Sequence, residues 1–147
     1  MLIWYITGAG AALAIAWLAA MLHLSGHAPL GFISLGVGAA LGVALSAIAA
    51  TLRVAGQRQL ILSTVLFAII AVLAQHAWLY LDFRRQWHEA RAASPEVAMF
   101  RPESPWSPAE YLARELTPGR AGLWALDAAL IVAAAVAVVI MWQRRSK

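Results

Sequence analysis

The sequence predicts an all-α membrane protein, a four-span antiparallel bundle of transmembrane helices. Four apolar stretches lie at residues 2–24, 30–52, 60–81 and 121–141, and only one charged residue, Asp127, falls inside them. Each is long enough to span a bilayer, because a helix rises about 1.5 Å per residue and a hydrocarbon core is roughly 30 Å thick. The chain is 63% hydrophobic and 12% charged, about half the charged fraction of a soluble domain. We therefore expect one membrane domain covering residues 1–147.

The first stretch is predicted to be a retained helix and not a cleaved signal peptide. It has no basic residue before its apolar run, and the run is longer than the roughly 7–15 residues of a signal-peptide core. Short connections follow the first and second spans, and short connections place consecutive helices antiparallel.

The third connection, residues 82–120, is long and contains five of the six prolines. The helical pattern of span three continues past Asp82 to about Ala93, since Pro95 disfavours helix in the residue before it. Further along, Ser107, Pro108 and Glu110 form a capping box with proline at the first helical position. They predict a short amphipathic helix at residues 108–116.

The distribution of the basic residues predicts the location and the topology of the protein. All basic residues lie outside the spans, so we expect the arginines to contact lipid phosphates and we expect no nucleic-acid partner. The use of arginine over lysine and the alanine bias are typical of a high-GC bacterial source, which predicts the inner (plasma) membrane. Five basic residues are concentrated in the short flanks on one side, and six are spread through the long loop. Their density favours cytoplasmic termini and a periplasmic loop.

Several kinds of chemistry have no support in the sequence. The chain has no cysteine, which excludes disulfides, thiolate metal sites and CxxC redox chemistry. No nucleophile elbow, HExxH motif or phosphate-binding loop is present. We therefore expect no catalytic residues, no metal and no cofactor, and we favour a protein that is not an enzyme.

Small residues recur every four positions along span two. A stripe of this kind lets helix backbones approach closely in lipid, where no hydrophobic effect draws helices together. Its members are Ser34, Gly38, Gly42, Ser46 and Ala50. The stripe packs either against other spans of this chain or against the helix of a partner, which would be another membrane protein or a second copy.

The few polar residues within or beside the spans form a predicted cluster. Counting from the span ends places them all in one leaflet, on the side of the long loop; they are His23, His27, Gln75, His76 and Asp127. A carboxylate at this depth is costly unless it is paired or hydrated. The sequence favours a His76–Asp127 pair as a structural clasp, and a proton-relay or ion site is the alternative. Metal binding by the histidines is a third interpretation.

Aromatic residues fall into two groups. Trp4, Trp78, Trp124 and Trp142 lie near span ends, as in an interfacial aromatic belt. Phe100, Trp106 and Tyr111 belong to the long loop and are candidates for contact with a partner or the membrane surface.

Three functions remain open. The sequence favours an accessory or scaffold subunit of a bacterial inner-membrane complex. The reason is that the predicted spans contain few polar or reactive residues, whereas the loop between spans three and four has a predicted helix and several arginines and tryptophans. A small transporter or ion-coupled protein that uses Asp127 and His76 is the first alternative. A membrane redox or metal-binding protein is the second.

Overall fold

A computed structural model describes residues 2–24, 30–54, 56–93 and 105–145. These described residues form five helices and no strand. The helices are α1 (Leu2–Leu24), α2 (Leu30–Thr51), α3 (Gln57–Ala93), α4 (Pro108–Glu115) and α5 (Pro118–Arg145). All except α4 are long and apolar enough to cross a membrane, as expected of a small membrane-embedded protein.

Two of the four long helices continue past the apolar stretches that the sequence predicts as spans. Helix α3 has 37 residues and is therefore about 55 Å long, which exceeds the roughly 30 Å hydrocarbon core. Its last twelve residues, 82–93, are the continuation that the sequence predicts, and they carry most of the charges of this helix. Helix α5 begins at Pro118, three residues before the predicted span. The antiparallel course of consecutive spans stays a prediction.

Helices α2 and α5 pack side by side in the same direction, with their backbones in contact. A Cβ atom added to Gly38 would collide with the carbonyl oxygen of Ile131, and one added to Gly42 would lie 2.7 Å from the carbonyl oxygen of Ala135. Both contacts join residues 93 positions apart, so the two helices advance together. Each glycine is there because a side chain would separate the helices.

Helices α1 and α3 form a second pair, built around an aromatic ring. Phe67 is 1% exposed, and its ring lies where a Cβ atom on Gly8 would be. Trp4 meets the same ring edge-on, with centroids 5.7 Å apart. Trp4 is only 2% exposed, so it packs inside the helix assembly instead of in the interfacial belt. Trp78 and Trp142 are exposed, as belt residues would be.

The small-residue stripe of α2 follows the α5 contact for most of its length. Ser34, Gly38, Gly42 and Ser46 are buried, whereas Ala50 is exposed. The reason is geometric, because residues four apart on a helix drift by about 40° per step. After four steps the stripe has rotated away from the neighbouring helix.

Candidate functional site

A cavity of about 590 Å³ lies at the end of the molecule where α3 leaves the apolar body, and we call it the loop-side cavity. Its walls come from α3, α4 and the first turns of α5. Its ionisable and amide-bearing residues include Gln75, His76, Asp82, Glu115, Arg120 and Asp127. Three members of the predicted polar cluster, Gln75, His76 and Asp127, thus share one cavity.

Asp127 is held in place by a hydrogen bond between helices. The hydroxyl of Ser34 on α2 donates to Oδ1 of Asp127 on α5 over 2.7 Å. Ser34 is 5% exposed. Ser34 and Asp127 are 93 positions apart in the sequence, the same separation as in the contacts of Gly38 with Ile131 and of Gly42 with Ala135. Sequence reasoning put Ser34 in the packing stripe and missed this role. A depth count gives only part of the signal: it places Ser34 about 6 Å inside α2 from the loop side, but it does not show which face of α2 meets α5.

His76 forms part of the cavity wall through a different contact. Its ring stacks on the indole of Trp124, with centroids 3.5 Å apart and planes 15° from parallel. Trp124 lies one helical turn before Asp127 on α5, so this contact brings α3 and α5 together at the depth of the carboxylate. The direct His76–Asp127 pair stays a prediction.

For three other predicted site residues the structure describes no side chain. His23 lies in the last turn of α1, and its side chain is not among those described. His27 and Phe100 lie outside the described residues. Within the described ranges, no group of three or more His, Asp or Glu side chains is placed to hold a metal ion.

An aromatic cluster joins α4 to the extension of α3. Phe83 stacks on Trp106 with centroids 5.3 Å apart, and Tyr111 lies 5.3 Å from both Phe83 and Tyr80. The hydroxyl of Tyr80 donates to the carbonyl oxygen of Trp106 over 3.0 Å. The guanidinium of Arg114 lies 4.1 Å from the centre of the Trp106 ring. Two of the loop candidates, Trp106 and Tyr111, therefore pack within the chain.

Helix α4 begins as its capping sequence predicts. Ser107 accepts a hydrogen bond from the backbone of Glu110, and the Glu110 carboxylate accepts one from the backbone of Ser107 over 2.8 Å. The backbone and hydroxyl donors of Ser107 lower the pKa of the Glu110 carboxyl below its ordinary value. The charged form of Glu110 is therefore favoured, and this form caps the first turn of α4.

Charges at the mouth of the cavity are acidic on balance. Asp82 accepts a hydrogen bond from Gln86 over 2.6 Å, and Glu115 forms an ion pair with Arg120 at 2.9 Å. Burial raises the pKa of the nearby Tyr111 hydroxyl, and the charge of Glu115 adds to this effect. Counting Asp127, three carboxylates and one guanidinium line the cavity.

The arrangement defines a membrane-embedded helical protein with a polar cavity that reaches from the extramembrane helices to a carboxylate inside a span. Asp127 lies six residues into the predicted fourth span, at a depth of about 9 Å. A cavity at this position gives water a route to the carboxylate, which lowers the cost of burying its charge. No protein-family model, curated protein or solved structure matches the chain.

Proposed function

We propose that this protein is a non-enzymatic accessory or scaffold subunit of a bacterial inner-membrane complex. Its partner contact would be the loop-side platform, which we define as residues 82–93 of α3 together with α4. The observation that carries the proposal is the aromatic cluster of Tyr80, Phe83, Trp106 and Tyr111. This cluster fixes two helices outside the apolar body in one arrangement, and a preformed surface loses little entropy when a partner binds.

The exposed residues of the platform fit a polar partner surface. Arg84, Arg85, His88 and Glu89 are exposed on the α3 extension, which rises about 18 Å along its axis. Arg85 pairs with both Asp82 and Glu89, and its own side chain is 70% exposed. Ion pairs made by so exposed a side chain contribute little stability. We infer that these side chains are retained for recognition, because the fold gains little from them.

The proposed membrane topology fits the same role. Four alternating crossings put both termini on one side and the platform on the other, and the density of basic residues favours cytoplasmic termini and a periplasmic platform. We propose that α4 acts as an amphipathic helix: Tyr111 faces the aromatic cluster, whereas Leu112 and Leu116 are 40% and 47% exposed. Only Leu116 and Thr117 separate α4 from α5. The proposed position of α4 is therefore at the bilayer surface, with both leucines in the lipid.

Affinity purification from a mild detergent tests this function. A tagged chain should retain a partner membrane protein or a second copy. The double variant R84E/R85E should lose the partner, because it replaces two exposed positive charges and makes the platform, whose four arginines and four carboxylates otherwise balance, strongly negative. The matched control R144E/R145E changes the same number of charges at the end of α5 and should keep it. A monomer with no co-purifying chain, or equal loss in both variants, would contradict the proposal.

A second candidate function is proton- or ion-coupled transport. The observation that favours it is the position of Gln75, His76 and Asp127 on the wall of one cavity, because ionisable groups inside a membrane are functional candidates by default. The variant D127N keeps the size of the side chain and an acceptor for Ser34. Loss of flux in proteoliposomes with an unchanged melting temperature would support transport. Loss of stability without an effect on flux would support a structural clasp.

A further inference from the structure

A second concave surface lies at the opposite end of the molecule, between the first turns of α1 and α3. We call it the Arg58 cleft. Its volume is about 510 Å³. Tyr5 contributes from α1, and the side chains from α3 are Arg58, Gln59, Leu62, Ser63 and Leu66. A shallower depression, lined by Gln57 and Ile61, adjoins Arg58 and Leu62 on the other side.

The charge balance at this end of the chain is one-sided. All seven acidic residues occur at position 82 or later, so residues 1–81 contain Arg53 and Arg58 but no carboxylate side chain. The ion pairs between described residues involve Arg85 and Arg120, both on the loop side. Among these residues Arg58 forms no ion pair with a carboxylate. Its exposed guanidinium can therefore bind an anion from lipid or solvent.

The shape of the cleft identifies the kind of anion. Leu62 and Leu66 are one turn apart on α3 and are 62% and 47% exposed, so they extend the cleft from Arg58 toward the apolar middle of the helix. A free anion would gain nothing from contact with these leucines. A molecule with a charged head and an apolar tail would contact both parts of the surface.

We propose that the Arg58 cleft binds an anionic phospholipid. The Arg58 guanidinium donates to the phosphate, since its planar fork matches phosphate geometry, and one acyl chain lies along Leu62 and Leu66. Tyr5, which is 41% exposed, forms the opposite wall with its hydroxyl at the level of the headgroup. The hydroxyl of Ser63 already donates to the carbonyl oxygens of Gln59 and Leu60. In this proposal Arg58 is the main group that binds the lipid phosphate.

Arg53 provides an internal control for this proposal. It lies in the connection between α2 and α3, five residues before Arg58, is exposed, and has a left-handed backbone with φ of 51°. It does not line the cleft. General attraction of basic residues to an anionic bilayer would act on both arginines, whereas a specific site would depend on Arg58 alone.

Native mass spectrometry of the full chain, released from nanodiscs, tests the site. The nanodiscs contain equal amounts of phosphatidylglycerol and phosphatidylcholine with the same acyl chains. The unmodified chain should retain phosphatidylglycerol preferentially. R58Q should lower that retention at least tenfold, and R53Q should change it less than twofold. Circular dichroism checks that the helix content of both variants equals that of the unmodified chain.

Three results would overturn the proposal. Equal loss in R58Q and R53Q would show general charge attraction only. Equal retention of the two lipids by the unmodified chain would show that the headgroup charge is not recognised. The third is competition by a free anion: if millimolar inorganic phosphate displaced phosphatidylglycerol, the leucines would not contribute to binding. Failure of this experiment leaves the proposed role of the loop-side platform untouched, because the two surfaces lie at opposite ends of α3.

Discussion

The two helix pairs of this protein, α2–α5 and α1–α3, achieve close packing through different kinds of contact. Helices α2 and α5 meet backbone to backbone at Gly38 and Gly42. Helices α1 and α3 meet through the ring of Phe67, which occupies the space left by Gly8. In lipid, both pairs depend on close packing and not on the hydrophobic effect.

The two pairs differ in how easily each contact can adjust to an added side-chain atom. A carbonyl oxygen in a helix cannot move without moving the helix, whereas an aromatic ring can rotate about its side-chain bonds. The α2–α5 pair also carries a hydrogen bond between helices, from Ser34 to Asp127, and this bond fixes one wall of the loop-side cavity. We therefore expect α2–α5 to be the less tolerant pair.

The largest effect is expected from Gly38→Ala. The added Cβ would collide with the backbone of Ile131, so the two helices must separate along the contact, and the free energy of unfolding should fall by about 3 kcal/mol, at the upper end for overpacking. Unfolding by SDS in mixed micelles measures this change. Gly36→Ala is the matched control on the same helix, because a Cβ there meets nothing within 4 Å.

The control should leave stability unchanged or raise it by up to about 1 kcal/mol, because alanine is the better helix former. If both variants lost stability equally, the close approach of α2 to α5 would not be a source of stability.

A smaller effect is expected from Gly8→Ala in the other pair. Its Cβ would meet the outer edge of the Phe67 ring, and rotation of the ring relieves part of the collision. We expect a loss of about 1 kcal/mol, the lower end for overpacking. The control on α1 is Gly10→Ala, which meets nothing within 4 Å. A loss at Gly8 as large as that at Gly38 would remove the distinction between ring and backbone contacts.

The bounds of several helices can be predicted from the sequence. The bounds of α1 and α2 follow from the length of the apolar stretches alone, because these stretches contain no charged residue that would end a span earlier. The extension of α3 to Ala93 and the start of α4 follow from Pro95 and from the capping box of Ser107 and Glu110. Local rules were sufficient for these elements because each is determined by residues close in the chain.

Contacts between helices were harder to predict. The depth count brought Gln75, His76 and Asp127 to one level, and they do line one cavity. It could not tell which faces of the helices meet, so the bond from Ser34 and the stacking of Trp124 on His76 were missed. For the same reason Trp4 was assigned to the lipid interface although it packs against Phe67. Position along a helix gives depth, but rotation about its axis depends on its neighbours.

The contribution of the interhelical hydrogen bond is measured by Ser34→Ala. Hydrogen bonds between membrane helices average about 0.6 kcal/mol and reach about 1.7 kcal/mol, and we expect a loss within this range from the free energy of unfolding. In a double-mutant cycle with D127A, most of the loss should disappear, because the partner of Ser34 is already gone. Independent, additive effects would show that the bond contributes nothing to α2–α5 association.

The smallest effect is expected from Thr64→Val, which tests whether buried hydroxyls in the α1–α3 pair act in the same way. Thr64 is fully buried, but its hydroxyl donates to the carbonyl oxygen of Leu60 in its own helix over 2.7 Å. Valine keeps nearly the same volume, and the carbonyl keeps its place in the backbone hydrogen bonding of α3. The free energy of unfolding should therefore change by less than about 0.5 kcal/mol, since no bond between helices is lost. A loss as large as that of Ser34→Ala would mean that burial of the hydroxyl, and not its bridging of two helices, determines its contribution.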